Sequence, residues 1–221
     1  MDKERKWINP YINLIETKPD YLISAEKNVL TPEQIYQVKE KCSKFNDVIC
    51  EVCCGSGGHL VELAQENQNQ LYIGFELRYK RVFNIAKKGD HLKLNNILAI
   101  RADANSIADI FAEKSLAGFY INFPDPWELE RWAKNRILRP DYIDTISKLV
   151  RSGGFFSYKT DHKSCFDKTC AIIKEHPSFN IIKETHDLYS EIPFPKQGAT
   201  EFEKMFYSKG FQICQLIAEI R

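Results

Sequence analysis

The 221-residue sequence predicts an α/β protein built on a mostly parallel, doubly wound sheet with one antiparallel strand near the C-terminus. Three features point to it. Short apolar runs rich in Val, Ile, Phe and Tyr recur along the chain at strand length, over residues 48–53, 71–75, 97–102, 119–123 and 155–158. Amphipathic stretches over residues 59–66, 78–88 and 106–112 separate the early runs, the alternation that makes a parallel sheet covered on both faces. The last two runs, 179–182 and 211–220, flank a proline-rich loop from Ile192 to Gly198, so the chain ends on a hairpin-like edge.

Taken in order, residues 9–24 show no clear period and read as a lid or a packed N-terminal arm. Thr31-Pro32-Glu33-Gln34 is a capping box with proline at the first helical position, so a helix precedes the first strand. Repeats, low-complexity tracts and Gly/Ser linkers are absent from the sequence, and a single domain over residues 1–221, with 1–30 as the arm, is expected.

Composition narrows the function. Lys and Arg total 31 against 30 Asp and Glu, a net charge of +1, which excludes a uniformly basic nucleic-acid binder; charged partners must be met locally. Hydrophobic content of 43% with 28% charged residues excludes a disordered chain. No apolar run approaches the roughly 18 residues of a membrane span. The charged start lacks the apolar region of a secretory signal, so a cytoplasmic protein without a membrane partner is expected. Seven cysteines, an odd number placed mostly in strand or helix segments, argue against a disulfide framework. Cys50 and Cys53 form a C-x-x-C without a second ligand pair, so they read as small buried hydrophobes and no metal is expected.

Ligands of such sheets bind beyond the carboxyl ends of the strands. The first strand ends in Glu51-Val52-Cys53-Cys54-Gly55-Ser56-Gly57-Gly58, where the glycines allow a tight turn and close approach to a ligand. A dinucleotide fingerprint needs a third glycine at position 60, which is Leu60. The second strand ends at Glu76, placed for a ribose diol, and the third at Asp103, which equally reads as a helix N-cap. Carboxylates at three successive strand ends around one glycine turn favour a nucleoside without a pyrophosphate. S-adenosylmethionine, with its ribose, adenine, ammonium and sulfonium, meets that description. The fourth strand ends in Asn122-Phe123-Pro124-Asp125-Pro126-Trp127: two prolines stiffen the loop that presents Asp125, and Trp127 offers a stacking face for a base.

Together with Lys159-Thr160-Asp161 and Thr200-Glu201-Phe202-Glu203, these motifs resemble the bacterial tRNA (guanine-N7-)-methyltransferases, in the family's order and over nearly the whole chain from Thr31 onward. The resemblance implies a Rossmann-like class I methyltransferase fold that uses S-adenosylmethionine to methylate a variable-loop guanosine of tRNA, as a monomer or homodimer. It implies that Glu51, Gly55, Gly57, Glu76, Asp103 and Asp125 line the cofactor site, with Asp125 catalytic. It also implies that Asp161, Thr200, Glu201, Phe202 and Glu203 hold the guanosine. Thr200-x-x-Glu203 reads equally as a capping box that starts a helix over residues 201–208, and Asp161-His162 as a turn after the fifth strand. Guanine N7 carries a free lone pair, so no general base is required, and the five histidines read as surface or capping residues.

Two departures from the family pattern stand out. Cys53 occupies a glycine position and is expected to crowd the cofactor's methionine moiety and weaken its binding. After Trp127, where the family carries a lysine- and arginine-rich run, Leu129 replaces a lysine, and Arg131, Lys134, Arg136 and Arg139 are nearly cancelled by Asp125, Glu128 and Glu130. Weaker, less salt-sensitive tRNA binding is the expected consequence, with Lys196 or the basic residues from Arg78 to Lys88 as substitute contacts. The same departures keep two alternatives open: a relative that binds tRNA or a partner without catalysis, and a methyltransferase acting on a small molecule.

Overall fold

The aperiodic arm is a packed addition to the sheet. In the computed structural model, which describes residues 9–127, 130–195 and 198–221, it forms helix α1 (Tyr11–Ile15) and strand β1 (Leu22–Ser24). Then follow α2 (Pro32–Cys42), β2 (Asp47–Val52), α3 (Gly58–Glu66), β3 (Gln70–Phe75), α4 (Tyr79–His91), β4 (Ile97–Arg101), α5 (Ile107–Ile110) and β5 (Leu116–Asn122). The second half comprises α6 (Pro140–Leu149), β6 (Val150–Thr160), α7 (Lys163–Glu175), β7 (Phe179–Thr185), α8 (Leu188–Glu191), α9 (Glu201–Ser208) and β8 (Cys214–Ile220). Short 3-10 turns cover Ala104–Ser106 and Glu130–Asn135.

The eight strands form one sheet in the order β1-β4-β3-β2-β5-β6-β8-β7. All pairings are parallel except those of β8, which runs antiparallel to β6 on one side and β7 on the other. The strand predicted over 211–220 begins only at Cys214, because the Phe211 amide donates to the Phe206 carbonyl and keeps the preceding residues on the end of α9.

Burial on both faces explains why the strands read as continuous apolar runs. Val48, Cys50 and Val52 face a core shared with Val38 of α2, Ile107 of α5, Ile143 of α6 and Phe166 of α7. Ile49 and Tyr72 face Leu60 of α3 and Ile85 of α4, with Ile15 of α1 closing that layer. A third, small cluster of Phe123, Leu188 and Ile213, backed by Phe202 and Phe206, seats α8 and α9 against the loop after β5. This cluster brings the C-terminal helix to the carboxyl end of the sheet. Among the described residues no two cysteines form a disulfide, and no helix is long and apolar enough to cross a membrane.

Candidate active site

The turn after β2 is built from left-handed residues. Cys53, Gly55 and Gly57 have φ of 58°, 55° and 67°, which swings the chain from the strand into α3. A Cβ on Gly57 would come within 2.6 Å of Ile85 on α4, so only glycine fits there. A Cβ on Gly55 would meet nothing within 4 Å: this glycine borders open space. Lys88 of α4 donates to the Ser56 carbonyl at 2.9 Å and braces the turn from behind.

Carboxylates gather around it. Glu51, next to last in β2, is buried, 1% exposed, with Oε1 accepting from Asn122 Nδ2 at 3.0 Å and Oε2 paired with His59 Nδ1 at 3.0 Å. Glu76 follows β3; its Oε1 accepts from the amides of Leu77 and Arg78, and its Oε2 lies 3.3 Å from Arg81. Asp125 is exposed in a loop bracketed by two further left-handed residues, Phe123 at φ 51° and Trp127 at φ 44°. The Cys53 thiol registers all three: burial pushes it up to about 12, and Glu76, Asp125 and Glu51 add to the rise while Arg81 opposes it. Asp103 accepts from the amide and side chain of Asn105, so the N-cap reading holds. Its charge also reaches the Tyr142 phenol, which is pushed far up by burial first and then by Cys50, Cys53 and Asp103.

The capping box at Thr200 is formed: Thr200 Oγ1 accepts from the Glu203 amide at 3.0 Å and Glu203 Oε2 from the Thr200 amide at 3.1 Å. Thr200, Glu201 and Phe202 share one cleft with Glu51, the glycine turn and Asn122. The Arg81 guanidinium, already on Glu76, lies 5.4 Å over the Phe202 ring and ties α9 to the end of β3. Glu203 points the other way. It is 0% exposed, and its Oε1 accepts from Lys159 and from the Tyr189 hydroxyl. Asp161 follows β6, half-buried, and burial raises its carboxyl above the ordinary aspartate range.

His59 corrects the reading of the histidines as surface or capping groups. Its side chain is only 11% exposed, and it stacks edge-on to Tyr120 at 4.8 Å while holding Glu51. His162, by contrast, does cap α7 through Nδ1. Asn122 is the second residue that sequence reasoning left without a role, although it ends β5 beside Glu51 near the end of β2. Its Oδ1 is buried and has no hydrogen-bond partner among the described residues. Leu129, Glu128 and Lys196 lie outside the described residues. Among those described, no three His, Cys, Asp or Glu side chains gather as metal ligands.

These features test the fit of the cofactor. Buried Glu51, an orphaned amide oxygen on Asn122 and open space at Gly55 line one acceptor-bearing cleft suited to a cationic nucleoside, and a mostly parallel sheet with that cleft at its carboxyl end defines a methyltransferase of class I. Residues 45–216 match the family described as putative methyltransferase. A tRNA (guanine-N7-)-methyltransferase of Mycoplasma genitalium is 34% identical over 185 residues, covering 81% of this chain and 88% of that one. A bifunctional glycosyltransferase/methyltransferase of Fusobacterium nucleatum is 29% identical over 93% of this chain, which spans 32% of that relative's length. Among solved structures, an antibiotic-related methyltransferase shares the fold, with a TM-score of 0.65 and 19% identity over 89% of this chain and 99% of that one. The chain belongs to the tRNA (guanine-N7-)-methyltransferase family.

Proposed function

We propose that this protein methylates N7 of a guanosine in tRNA with S-adenosylmethionine as the methyl donor. The observation that carries the reading is the cleft in which Glu51, the glycine turn and Asn122 meet Thr200, Glu201 and Phe202 at the carboxyl end of the sheet. When bound, the cofactor supplies an electrophilic methyl group on a sulfonium. Glu51 and the unpartnered Asn122 Oδ1 offer acceptors to its ammonium, Glu76 to the ribose hydroxyls and Asp103 to the adenine amino group.

The residues on the acceptor side have a modest task. N7 needs no proton removed before it attacks, so the protein contributes by holding the reacting atoms in line. As N7 takes the methyl group the guanine ring becomes cationic, and carboxylates at Asp125 and Asp161 stabilise that charge more than the neutral ground state. The N1 and N2 donors of guanine match the same carboxylates, whereas adenine lacks them. Thr200, Glu201 and Phe202 face the cofactor turn across the cleft and form the opposite wall of the guanosine site. A stacked or paired target base must be turned out to enter.

The test is direct. The protein, labelled S-adenosylmethionine and unmodified tRNA are incubated, and the product is cleaved chemically at N7-methylguanosine. Cleavage at one variable-loop guanosine is expected; labelled tRNA without that cleavage, or no label at saturating enzyme, overturns the reading.

A further inference from the structure

Two tryptophans stand exposed beside the reacting loop. Trp127 and Trp132, 37% and 39% exposed, meet edge to face with ring centroids 5.9 Å apart, and the Arg131 guanidinium lies 4.9 Å over the Trp132 ring. Indoles rank among the most buried side chains on average, so an adjacent pair left this exposed offers an aromatic surface on which a planar group can stack. The loop is held rather than loose: Arg136 Nε donates to the Trp127 carbonyl at 3.1 Å, and Arg139 donates to the carbonyls of Arg136 and Lys134 and to Asn105 Oδ1.

The cations of this segment therefore divide. Arg136 and Arg139 spend donors on the loop's own backbone, while Arg131 and Lys134 are exposed. An aromatic face, the Arg131 guanidinium plane over it and the exposed Lys134 in one 3-10 turn match one nucleotide: a base to stack and a phosphate to attract. Trp127, whose ring meets Trp132, lies two residues after Asp125 and thus links this turn to the acceptor side of the site.

We infer that Trp132, capped by Arg131, is a stacking platform for an unpaired tRNA base neighbouring the target guanosine. This rests on the tRNA methyltransferase reading and adds the contact that replaces the phosphate grip of a more basic run. A base lies on the indole or on the guanidinium plane above it, and stacking is indifferent to salt where phosphate pairing is not.

Trp132→Ala, Trp132→Phe and Lys134→Gln separate the two contributions, with methylation kinetics and direct tRNA binding by fluorescence anisotropy read for each. Trp132→Ala is expected to raise KM and the tRNA Kd roughly 5- to 150-fold, the range for one lost base–aromatic stack, with kcat and cofactor affinity within about twofold of the parent. Trp132→Phe restores most of the affinity, and Lys134→Gln alone flattens the salt dependence. An unchanged Kd in Trp132→Ala overturns the platform while leaving methyl transfer standing, as does a shift in oligomeric state without a change in Kd. A parent enzyme that binds tRNA but does not methylate it overturns the methyltransferase reading alone, because the binding arm still measures the stack.

Discussion

Lys159 Nζ lies 2.8 Å from Glu203 Oε1, an ion pair in which the glutamate side chain is fully buried and the lysine 16% exposed. It joins the end of β6 to the first turn of α9, and the other Glu203 oxygen holds the Thr200 amide. Burial, helped by Glu203, keeps the Tyr189 phenol protonated, so its hydroxyl remains a donor to the same carboxylate. Removing one partner of such a pair strands a buried charge at a cost of about 3–5 kcal/mol. Lys159→Met is expected to lower the unfolding free energy by that amount in urea titrations, and adding Glu203→Gln to recover part of it. An unchanged urea midpoint in Lys159→Met would show that the pair does not anchor α9.

Cys53 holds φ 58° without being glycine, in the turn between β2 and α3. A side chain in the left-handed region costs about 1–2 kcal/mol, and glycine gives back roughly 0.5–1 kcal/mol in the entropy of the unfolded chain. Cys53→Gly is therefore expected to be neutral to slightly stabilising and, by clearing the Cβ and thiol from the pocket, to bind S-adenosylmethionine more tightly in calorimetry. Cys53→Val combines the same φ with a branched Cβ and is expected to lose about 2 kcal/mol. The native thiol, pushed up to about 12, should resist iodoacetamide at pH 8. Weaker cofactor binding in Cys53→Gly would contradict the crowding argument.

The strands were legible because parallel strands are apolar on both faces. The runs at 48–53 and 71–75 sit within one residue of β2 and β3, and the Thr31 and Thr200 capping boxes start α2 and α9 where they should. Helix α6 passed unread although Tyr142, Ile143, Ile146 and Leu149 form a buried stripe behind Pro140, because it runs straight into β6 and the two apolar patterns merge at Leu149 and Val150. Strand β1, three residues long, has no pattern to read. Strand-end position nominated Glu51, Glu76 and Asp103, and of these Glu51 lines the cleft at the glycine turn. The His59 contact to Glu51 and the Lys159 contact to Glu203, 44 residues apart, exist only in three dimensions. Charge counting after Trp127 likewise could not tell that Arg136 and Arg139 bond the backbone rather than face outward.

Burial raises the Asp161 carboxyl, with the backbone hydrogen bond and His162 opposing. The folded protein then holds this proton more tightly than the unfolded chain, so ionisation of Asp161 works against folding. Its contribution to stability is whole below the unfolded aspartate pKa of about 3.9 and is lost as pH rises through the higher folded value. Asp161→Asn is expected to be more stable than the parent at pH 7, with the gap closing toward pH 4, and to bind tRNA or guanosine less well. Denaturant titrations at the two pH values check the sign; a variant less stable than the parent at pH 7 would show that Asp161 makes favourable contacts in the fold.

Asp125 differs because it is exposed, so its replacement tests chemistry with little disturbance of the fold. The loop conformation is set by other groups: the Phe123 amide donates to the Lys159 carbonyl, the Phe123 ring stacks on Phe206 at 5.8 Å, and Arg136 fixes the Trp127 carbonyl. Asp125→Ala is therefore expected to change stability by no more than about 0.5 kcal/mol while reducing kcat by roughly a hundredfold or more, the scale of losing one preorganised electrostatic contact in a site. Asp125→Asn separates two functions of the carboxylate, because the amide oxygen still accepts from the guanine edge but carries no charge for the cationic ring. If orientation dominates, Asp125→Asn retains most of kcat. If charge stabilisation dominates, kcat falls nearly as far as in the alanine variant while the tRNA KM stays close to the parent, and the positive charge that methylation puts on the guanine ring predicts the second outcome.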